Sequence, residues 1–428
     1  MPVSYLSESR QNPINTFAMF RIIIKMLTIT DKSKCCGCEA CAQICPTGAI
    51  TMKADAEGFF YPETDNEKCV NCGLCEKICP EMRPPARNAF AKTFAAKHKD
   101  GGTRLKSTSG GAFSAMAEKT LQSGGAVFGA AFNDSWEAEF ICAGNAEELD
   151  RLRRSKYMQS RTGNAFRMAK KLLEQGRHVL FSGTPCQCAA LRNYLGKDYE
   201  KLLVASIICH GVPSPAVWAK FLEETVPAGK IKSINFRDKR FAWDIQFASI
   251  ELQDGRTLPG PKGLMKLFSP LLAIKRGWLF RRLYKLPYKI SSLYERPSCY
   301  KCPFKGIPSS ADFVMGDLWG VEEIAPHLYD KKGLSLLFAC GDKAMEYLQG
   351  TNLELHEIEE KDAVRHNPYA IRPIETNSKR EEFFRRFINE PVCGLIRELS
   401  GEKSLPVKII CKIINAGKAA ANKIFSKR

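Results

Sequence analysis

Cys35-Cys-Gly-Cys38-Glu-Ala-Cys41-Ala-Gln-Ile-Cys45-Pro46, echoed by Cys69-Val-Asn-Cys72-Gly-Leu-Cys75-Glu-Lys-Ile-Cys79-Pro80, decides how this chain folds at its start. Both phrases read C-x2-C-x2-C-x3-C-P. Three thiolates at intervals of three converge within a tight turn and suit three corners of one iron–sulfur cube. The fourth Cys opens a short helix that carries it to the other cube. The proline then turns the chain away. The spacing predicts that Cys35, Cys38, Cys41, Cys45, Cys69, Cys72, Cys75 and Cys79 hold two 4Fe-4S clusters. Zinc is the competing reading, but it prefers two CxxC pairs around one tetrahedral ion. Four cysteines per phrase, twice, each with the proline, disfavour it.

The rest of the chain is ordinary in bulk. Its 428 residues are 44% hydrophobic and 26% charged, as in a water-soluble globular protein with room for one or two larger domains. Eighteen cysteines without a secretory signal read as reduced thiols in a cytoplasm rather than a disulfide framework. The net charge of +18 has no basic-aromatic nucleic-acid motif around it, so nucleic acid is not the expected partner. A cationic surface equally steers an acidic redox partner, a phosphate-bearing cofactor or an anionic membrane. The apolar run after Phe17 is too short and too charged to span a bilayer, and no transmembrane helix is expected. Met26 reads as the working start, with residues 1–25 a disordered extension.

Residues 26–85 form a small module resembling a bacterial two-cluster ferredoxin, with short strands expected at Ala49–Met52 and Gly58–Tyr61. From Asn88 the texture becomes α/β. Strands are expected at Phe90–Ala96, Ala126–Phe132, His178–Phe181 and Leu202–Ile208, with a helix over Asn164–Gln175. The continuous apolar strands are those of a parallel sheet with cofactor loops at strand ends. Lys262–Lys289 carries eight basic residues and no acidic one. The tail Leu405–Arg428 reads as an amphipathic helix with basic residues off its apolar face, suited to docking on a partner or, alternatively, to peripheral contact with the inner membrane surface.

Further chemistry is scattered. Cys186 and Cys209 each follow an apolar strand, and Cys299-Tyr-Lys-Cys302 is a CxxC. A third cluster built from these four is reasonable. So are two free cysteines beside a redox pair or half a zinc site. Ser107-Thr-Ser109-Gly110-Gly111 opens a helix, and Gly183-Thr184-Pro185 follows a strand. Both suit a phosphate, and both suit a helix cap. Gly316-Asp317-Leu-Trp319-Gly320 could flank a flavin ring or pack in the core. His210 is a candidate proton donor beside Cys209, and no Ser-His-Asp or HExxH arrangement is present.

In order along the chain stand Ser107-Thr-Ser-Gly-Gly-Ala-Phe, Ser155-Lys-Tyr-Met-Gln-Ser160, Ser182-Gly-Thr-Pro-Cys-Gln187 and Cys209-His-Gly-Val-Pro-Ser214. Phe236-Arg-Asp-Lys-Arg240, Arg296-Pro-Ser-Cys-Tyr-Lys-Cys302 and Ala311-Asp-Phe-Val-Met-Gly-Asp-Leu-Trp-Gly320 follow. Together with the cysteine phrases they resemble the family of coenzyme F-420 hydrogenase/dehydrogenase beta subunits over about residues 30–345. The resemblance implies an iron–sulfur flavoprotein oxidoreductase: a ferredoxin module at 26–85, then a mixed α/β flavin-binding domain. That domain comprises the family's N-terminal region at 88–165 and its C-terminal FAD and iron–sulfur region at 166–345; outside the resemblance, residues 346–428 are expected to form a helical region. It implies that Cys186, Cys209, Cys299 and Cys302 hold a third 4Fe-4S cluster. It also implies that Ser107, Ser109, Gly110, Gly111, Lys156, Tyr157, Gln159, Ser160, Gly183, Thr184, Pro185 and Gln187 line an FAD pocket. Partners so implied are ferredoxin or another redox protein, and an anionic small molecule or deazaflavin as substrate. A non-catalytic electron-transfer subunit is the alternative. Three positions depart from the pattern: Arg154 and Ala242 replace usual glycines, and Cys188 stands beside Cys186 as a rival ligand.

Overall fold

The computed structural model describes residues 29–226, 229–239, 243–245, 247–259 and 292–400. The expected extension at 1–25, the start at Met26, the basic stretch Lys262–Lys289 and the tail Leu405–Arg428 lie outside them.

The two cysteine phrases flank an antiparallel hairpin of β1 (Ile50–Ala54) and β2 (Phe60–Thr64), with Ile50 opposite Thr64 and Ala54 opposite Phe60. Asp55 closes its turn by accepting from the backbone N–H groups of Glu57 and Phe59 at 3.0 Å. Each phrase contains one short helix, α1 (Ala40–Ile44) and α2 (Leu74–Lys77). Both helices are entered from left-handed backbone, at Glu39 (φ 62°) and Gly73 (φ 69°), which bends the cysteine turn back on itself.

The larger part is built on one sheet of eight strands. In chain order these are β3 (Ala91–His98), β4 (Ala126–Phe132), β5 (Ala138–Ala143), β6 (Val179–Gly183), β7 (Leu202–Ile207), then β11 (Phe313–Asp317), β12 (Ser335–Cys340) and β13 (Leu353–Glu357). Between them β8 (Ile231–Asp238), β9 (Phe247–Leu252) and β10 (Thr257–Pro259) form a separate antiparallel sheet. The large sheet runs β13-β3-β12-β11-β7-β6-β4-β5. Its centre, β4, β6, β7 and β11, is parallel, and antiparallel strands finish both edges. The parallel centre is what the apolar runs predict, and the mixed α/β architecture as a whole is the one the family resemblance implies.

Alternation sorts side chains to the two faces. The short helix α3 (Gly101–Lys106) leads from β3 into the loop at Ser107–Gly111. Val127, Leu180 and Leu203 pack beneath α4 (Ala112–Gln122) and α5 (Ala146–Leu152). Phe128, Val179, Phe181 and Val204 face α6 (Ala165–Glu174) and α7 (Pro185–Leu195). That second core also takes in Cys36, Cys38, Ala40 and Ile78, so the cluster module sits directly on the α6–α7 face. The last segment is not helical throughout. Leu353-Glu-Leu-His-Glu alternates and joins the sheet as β13, opposite β3, because a half-buried edge rewards period two. The large sheet thus draws strands from 88–165, 166–345 and 346–428 alike.

A third core joins distant pieces. Phe59 of the cluster module meets Trp218 and Phe221 of α8 (Pro215–Thr225), Phe236 and Ile250 of the small sheet, and Phe383, Phe384 and Phe387 near the C-terminus. Phe59 is fully buried and contacts Phe384 edge-to-face with ring centroids 6.5 Å apart. Phe59→Ala is expected to destabilise the protein by about 3–5 kcal/mol, the usual range for emptying a buried aromatic site. Denaturant unfolding of the holoprotein followed by tryptophan fluorescence measures it, and a loss under about 1 kcal/mol would show that the hairpin is not held by this core.

Candidate functional site: three sets of thiols leading to the carboxyl edge of the sheet

The folded chain exchanges the fourth cysteines of the two phrases. Cys45 of the first phrase joins Cys69, Cys72 and Cys75 around one shallow recess, with Ile50, Val70 and Leu74 in its walls. Cys79 of the second phrase joins Cys35, Cys38 and Cys41. Every pair in this set is close enough for one thiolate to disfavour ionisation of the other. Burial, the largest cause, pushes the Cys79 thiol up to about 11. Cys72 is exposed, whereas Cys38 is only 8% exposed, so the first set faces outward and the second inward.

Cys186, Cys209, Cys299 and Cys302 form a third set although the sequence scatters them. Cys186 lies in the first turn of α7, directly after β6, and Cys209 lies just beyond β7. The register Gly183 opposite Ser206 sets those two strand ends side by side. Cys299 and Cys302 come from the single 3₁₀ turn at Pro297–Lys301 and its end. Backbone N–H groups point at two of the sulfurs, Gly211 to Cys209 and Val212 to Cys299, each at 3.4 Å. All six pairs interact electrostatically, and burial pushes Cys302 up to about 12 and Cys209 and Cys299 upward as well. The rival Cys188 is fully buried in the core, because two residues on from Cys186 a helix presents its opposite side.

The donor chemistry of these sets fits iron–sulfur cubes. Among the described residues no group of three or more His, Cys, Asp or Glu side chains is set to hold a single metal ion. One zinc would draw its four sulfurs to within about 3.8 Å of one another, from a zinc–sulfur distance of about 2.3 Å, whereas a cube spreads them more widely. Buried thiols give up their protons when a coordinated cation supplies the compensating charge.

The other candidates lie along the carboxyl edge of the sheet, linked loop to loop. Thr108 and Ser155 bond through their hydroxyls at 3.2 Å, and Thr108 Oγ1 accepts from Ser155 N at 2.9 Å. Gln187 donates to the carbonyl and hydroxyl of Ser160 at 3.3 and 3.1 Å. The segments 107–111, 155–160 and 183–187 therefore make one arc. Within it, several groups are committed to the protein itself. Ser107 and Ser109 donate to the carbonyls of Thr103 and Leu334, at 2.8 and 2.7 Å. A Cβ at Gly110 would lie 2.3 Å from Ala96 O, and one at Gly111 2.9 Å from His98 Cβ, so these glycines serve close packing. Thr184 caps α7, its N–H donating to Gln187 Oε1 at 3.0 Å, with Pro185 at the first helical position and Gly183 against Phe140. Lys156 donates to the carbonyls of Arg151, Leu152 and Arg153, closing the end of α5.

The arc ends at a polar cluster with capacity to spare. Arg237 donates to Asp317 at 2.6 Å and to Tyr157 at 3.3 Å. Yet Arg237 Nε, Asp317 Oδ1 and Trp243 Nε1 are buried without a hydrogen-bond partner. Trp243 stacks on Trp319 with centroids 5.3 Å apart, and Arg237 lies over Trp319. Unpartnered buried donors and an acceptor beside stacked aromatics fit the edge of a planar heterocycle such as a flavin. His210 instead packs on Tyr369, 4.7 Å between centroids.

Two residues of the site were not singled out from sequence. Cys36, buried between the second and third sets, hydrogen-bonds Cys186, which raises Cys36 and lowers Cys186. Arg296, also fully buried, donates from Nε to Cys35 O at 2.7 Å and from Nη2 to Cys35 Sγ at 3.5 Å. The doubled Cys35-Cys36 and the Arg three residues before Cys299 were the available hints. Gln159, expected at a flavin, donates to the carbonyls of Cys36 and Gly37 at 3.2 and 3.3 Å and so braces the cysteine turn.

Burial, the largest cause, pushes the ammonium groups of Lys156 and Lys239 down to about 7 from an ordinary 10.5. Between those values the unfolded chain holds protons that the folded chain has shed, so stability rises with pH through that window. Converting both lysines to Met is expected to lower the melting temperature and flatten its rise above about pH 7, measured by calorimetry on the holoprotein. An unchanged slope would refute the assignment.

Residues 34–82 match the 4Fe-4S dicluster domain. Residues 93–176 match the N-terminal model of the coenzyme F420 hydrogenase/dehydrogenase beta subunit, and residues 176–363 its C-terminal model. Together these two matches cover more than half of the chain. One component of the F420H2 dehydrogenase of Methanosarcina mazei is 28% identical over 232 residues, covering 50% of this chain and 62% of that protein. A chain of the F420-reducing [NiFe] hydrogenase complex from Methanosarcina barkeri is 17% identical with a TM-score of 0.41, covering 66% of this chain and 91% of its own. No helix among the described residues is long and apolar enough to cross a membrane. With the cysteine module preceding a mixed sheet matched at both halves, the chain belongs to the family of coenzyme F420 hydrogenase/dehydrogenase beta subunits and carries a 4Fe-4S dicluster domain.

Proposed function

We propose that the chain is an oxidoreductase that relays electrons through three 4Fe-4S clusters to an FAD at the carboxyl edge of the large sheet, where an anionic substrate or deazaflavin is reduced or oxidised. The observation that carries this reading is the series of thiol sets. It begins at Cys45, Cys69, Cys72 and Cys75, continues through Cys35, Cys38, Cys41 and Cys79, and ends at Cys186, Cys209, Cys299 and Cys302. Cubes pass single electrons, and FAD supplies the conversion to two-electron chemistry that most organic substrates need.

The chain's own residues have separable tasks in this reading. Cys72 and the neighbouring Val70, 62% exposed, open the first set to a ferredoxin or another redox protein. Cys36 bridges the second and third sets. Arg237, Asp317 and Trp243 offer their unpartnered atoms to the flavin, and the stacked pair Trp243–Trp319 shields that place from water. The linked loops 107–111, 155–160 and 183–187 fix the arc against which the rest of the cofactor lies. The basic stretch Lys262–Lys289 is assigned to the anionic substrate by its charge alone.

A second reading is favoured by the matched relative, itself one part of a dehydrogenase and a protein of which this chain spans 62%. Here the chain delivers electrons to a larger redox complex and turns over no small molecule itself.

Anaerobic purification followed by iron, sulfide and extracted-flavin analysis tests the proposal. About twelve irons and one FAD per chain are expected, four irons for each cube. Cys186→Ser and Cys299→Ser are each expected to remove about four irons and leave the other clusters' signals in place. About eight irons without flavin would overturn the relay and leave the electron-transfer reading.

A further inference from the structure

Arg296 is the largest fully buried side chain in the described structure, with no exposed surface. A buried guanidinium is costly unless opposite charge is close by. Among the described residues it forms no ion pair with a carboxylate. Its donors go instead to Cys35 O at 2.7 Å, Gln159 Oε1 at 3.0 Å, Phe60 O at 3.0 Å and Cys35 Sγ at 3.5 Å. Its cation lies over the ring of Tyr61 at 4.2 Å and that of Phe59 at 5.5 Å. The acidic group it touches directly is the Cys35 sulfur, with the cluster that sulfur would ligate, while Cys36, Cys299 and the Glu81 carboxylate feel its charge without a bond from it.

The cysteine turn is shaped to admit this cation. Gly37 has φ 66°, and a Cβ there would fall 2.7 Å from Arg296 Nη1 and 2.5 Å from Gln159 Nε2. The glycine between Cys36 and Cys38 is thus the space in which the guanidinium rests. Three residues after Arg296 comes Cys299, whose N–H donates to Arg296 O at 2.9 Å. One short segment therefore brings a fixed positive charge to the second thiol set and a ligand to the third.

We propose that Arg296 is a positioning residue that raises the reduction potential of the cluster at Cys35, Cys38, Cys41 and Cys79, through its buried charge and its N–H bond to the Cys35 sulfur. The inference rests on the cluster assignment above but not on the flavin. Reduction adds one electron to the cube with no bond made or broken. The added negative charge is stabilised by a nearby cation and by hydrogen bonds to sulfur. The outer set at Cys45, Cys69, Cys72 and Cys75 lacks this contact and keeps its own potential.

The test is a potentiometric titration monitored by EPR on the full chain with its clusters assembled, for wild type, Arg296→Gln and Arg296→Lys. Cys35→Ser serves to identify which signal belongs to the affected cluster. In Arg296→Gln that cluster's midpoint is expected to move negative by at least a tenfold change in its reduced-to-oxidised ratio at fixed potential, about 59 mV for one electron. Arg296→Lys, which keeps the charge without the fork, is expected to fall between. The midpoint of the outer cluster at Cys45, Cys69, Cys72 and Cys75 stays where it is, and that of the cluster at Cys186 and Cys299 moves by less, since those sulfurs feel the same charge without a bond from it. An unmoved midpoint in Arg296→Gln, or an equal shift of all clusters, would overturn the proposal. If Arg296→Gln fails to assemble that cluster, Arg296→Lys decides: a midpoint more negative than wild type supports the proposal and a wild-type one overturns it. Loss of that cluster from both variants would make Arg296 a structural support only, and would also overturn it. A protein without flavin would sink the relay to FAD while leaving this titration fully readable.

Discussion

The fold depends on how the cysteine turn of the first phrase is seated on the large domain, and that seating is polar. Buried Glu39 accepts from Arg161 and from Gly163 N, the latter at 2.7 Å. Thr162 donates to Cys38 O at 2.8 Å, Gln43 receives Phe166 N at 3.0 Å, and Arg167 donates to Gln43 O at 2.7 Å. Arg296 and Gln159 close the other side. A small iron–sulfur module held by an apolar patch alone has freedom to slide. One held by a satisfied buried network has a single register, since every shifted register strands a polar group. At Glu57 the same logic recurs, where Arg380 makes two bonds at 2.9 and 2.6 Å and ties the hairpin to the C-terminal helices. Electron transfer between fixed centres needs this kind of immobility more than it needs affinity.

The parallel centre of the sheet does for the third thiol set what the local turn does for the first two. Parallel strands all release their chains on one edge, and neighbours in register release them side by side. Cys186 after β6 and Cys209 after β7 become neighbours for that reason, and Asp317 at the end of β11 arrives on the same edge. The loop at Ser107–Gly111 reaches it as well, because β3 runs in the same direction as β11 across the antiparallel β12. Gly110 and Gly333 allow close backbone approach there, and Lys239 draws the loops together by donating to the carbonyls of Arg104, Ser109 and Lys332, each at 2.6 Å.

This division explains what the sequence disclosed. The two cysteine phrases were legible because ligand spacing along a turn is a local property. The strands at 126–132, 179–183 and 202–207 were legible because strands buried on both faces must be apolar throughout. The set formed by Cys186, Cys209, Cys299 and Cys302 was not decidable from spacing, since strand register and a distant turn bring it together. It was reached through resemblance. Cys36 and Arg296 escaped because their roles depend on contacts between residues more than a hundred positions apart, Cys36 with Cys186 and Arg296 with Cys35. The phosphate-binding reading of the glycine loops met a different limit. A helix N-terminus looks the same in sequence whether an anion or its own capping side chain satisfies it. At Thr184 it is Gln187 that does so.

The burial gradient bears on the choice between an enzyme and a simple electron conduit. A conduit needs exposed clusters at both ends, because electrons must enter and leave by contact with other proteins. Here the first thiol set is open to the surface through Cys72, and the third lies on the sheet edge where β11 ends at Asp317, whose Oδ1 is buried without a partner, as are Arg237 Nε and Trp243 Nε1. Buried polar atoms left without partners carry a cost of about 1–3 kcal/mol each, which a folded chain sustains where a ligand completes them. A terminus of that kind is suited to a bound heterocycle and a small reactant rather than to a second protein surface. On the proposed reading, that edge serves chemistry within this chain and the exposed first set serves the redox partner.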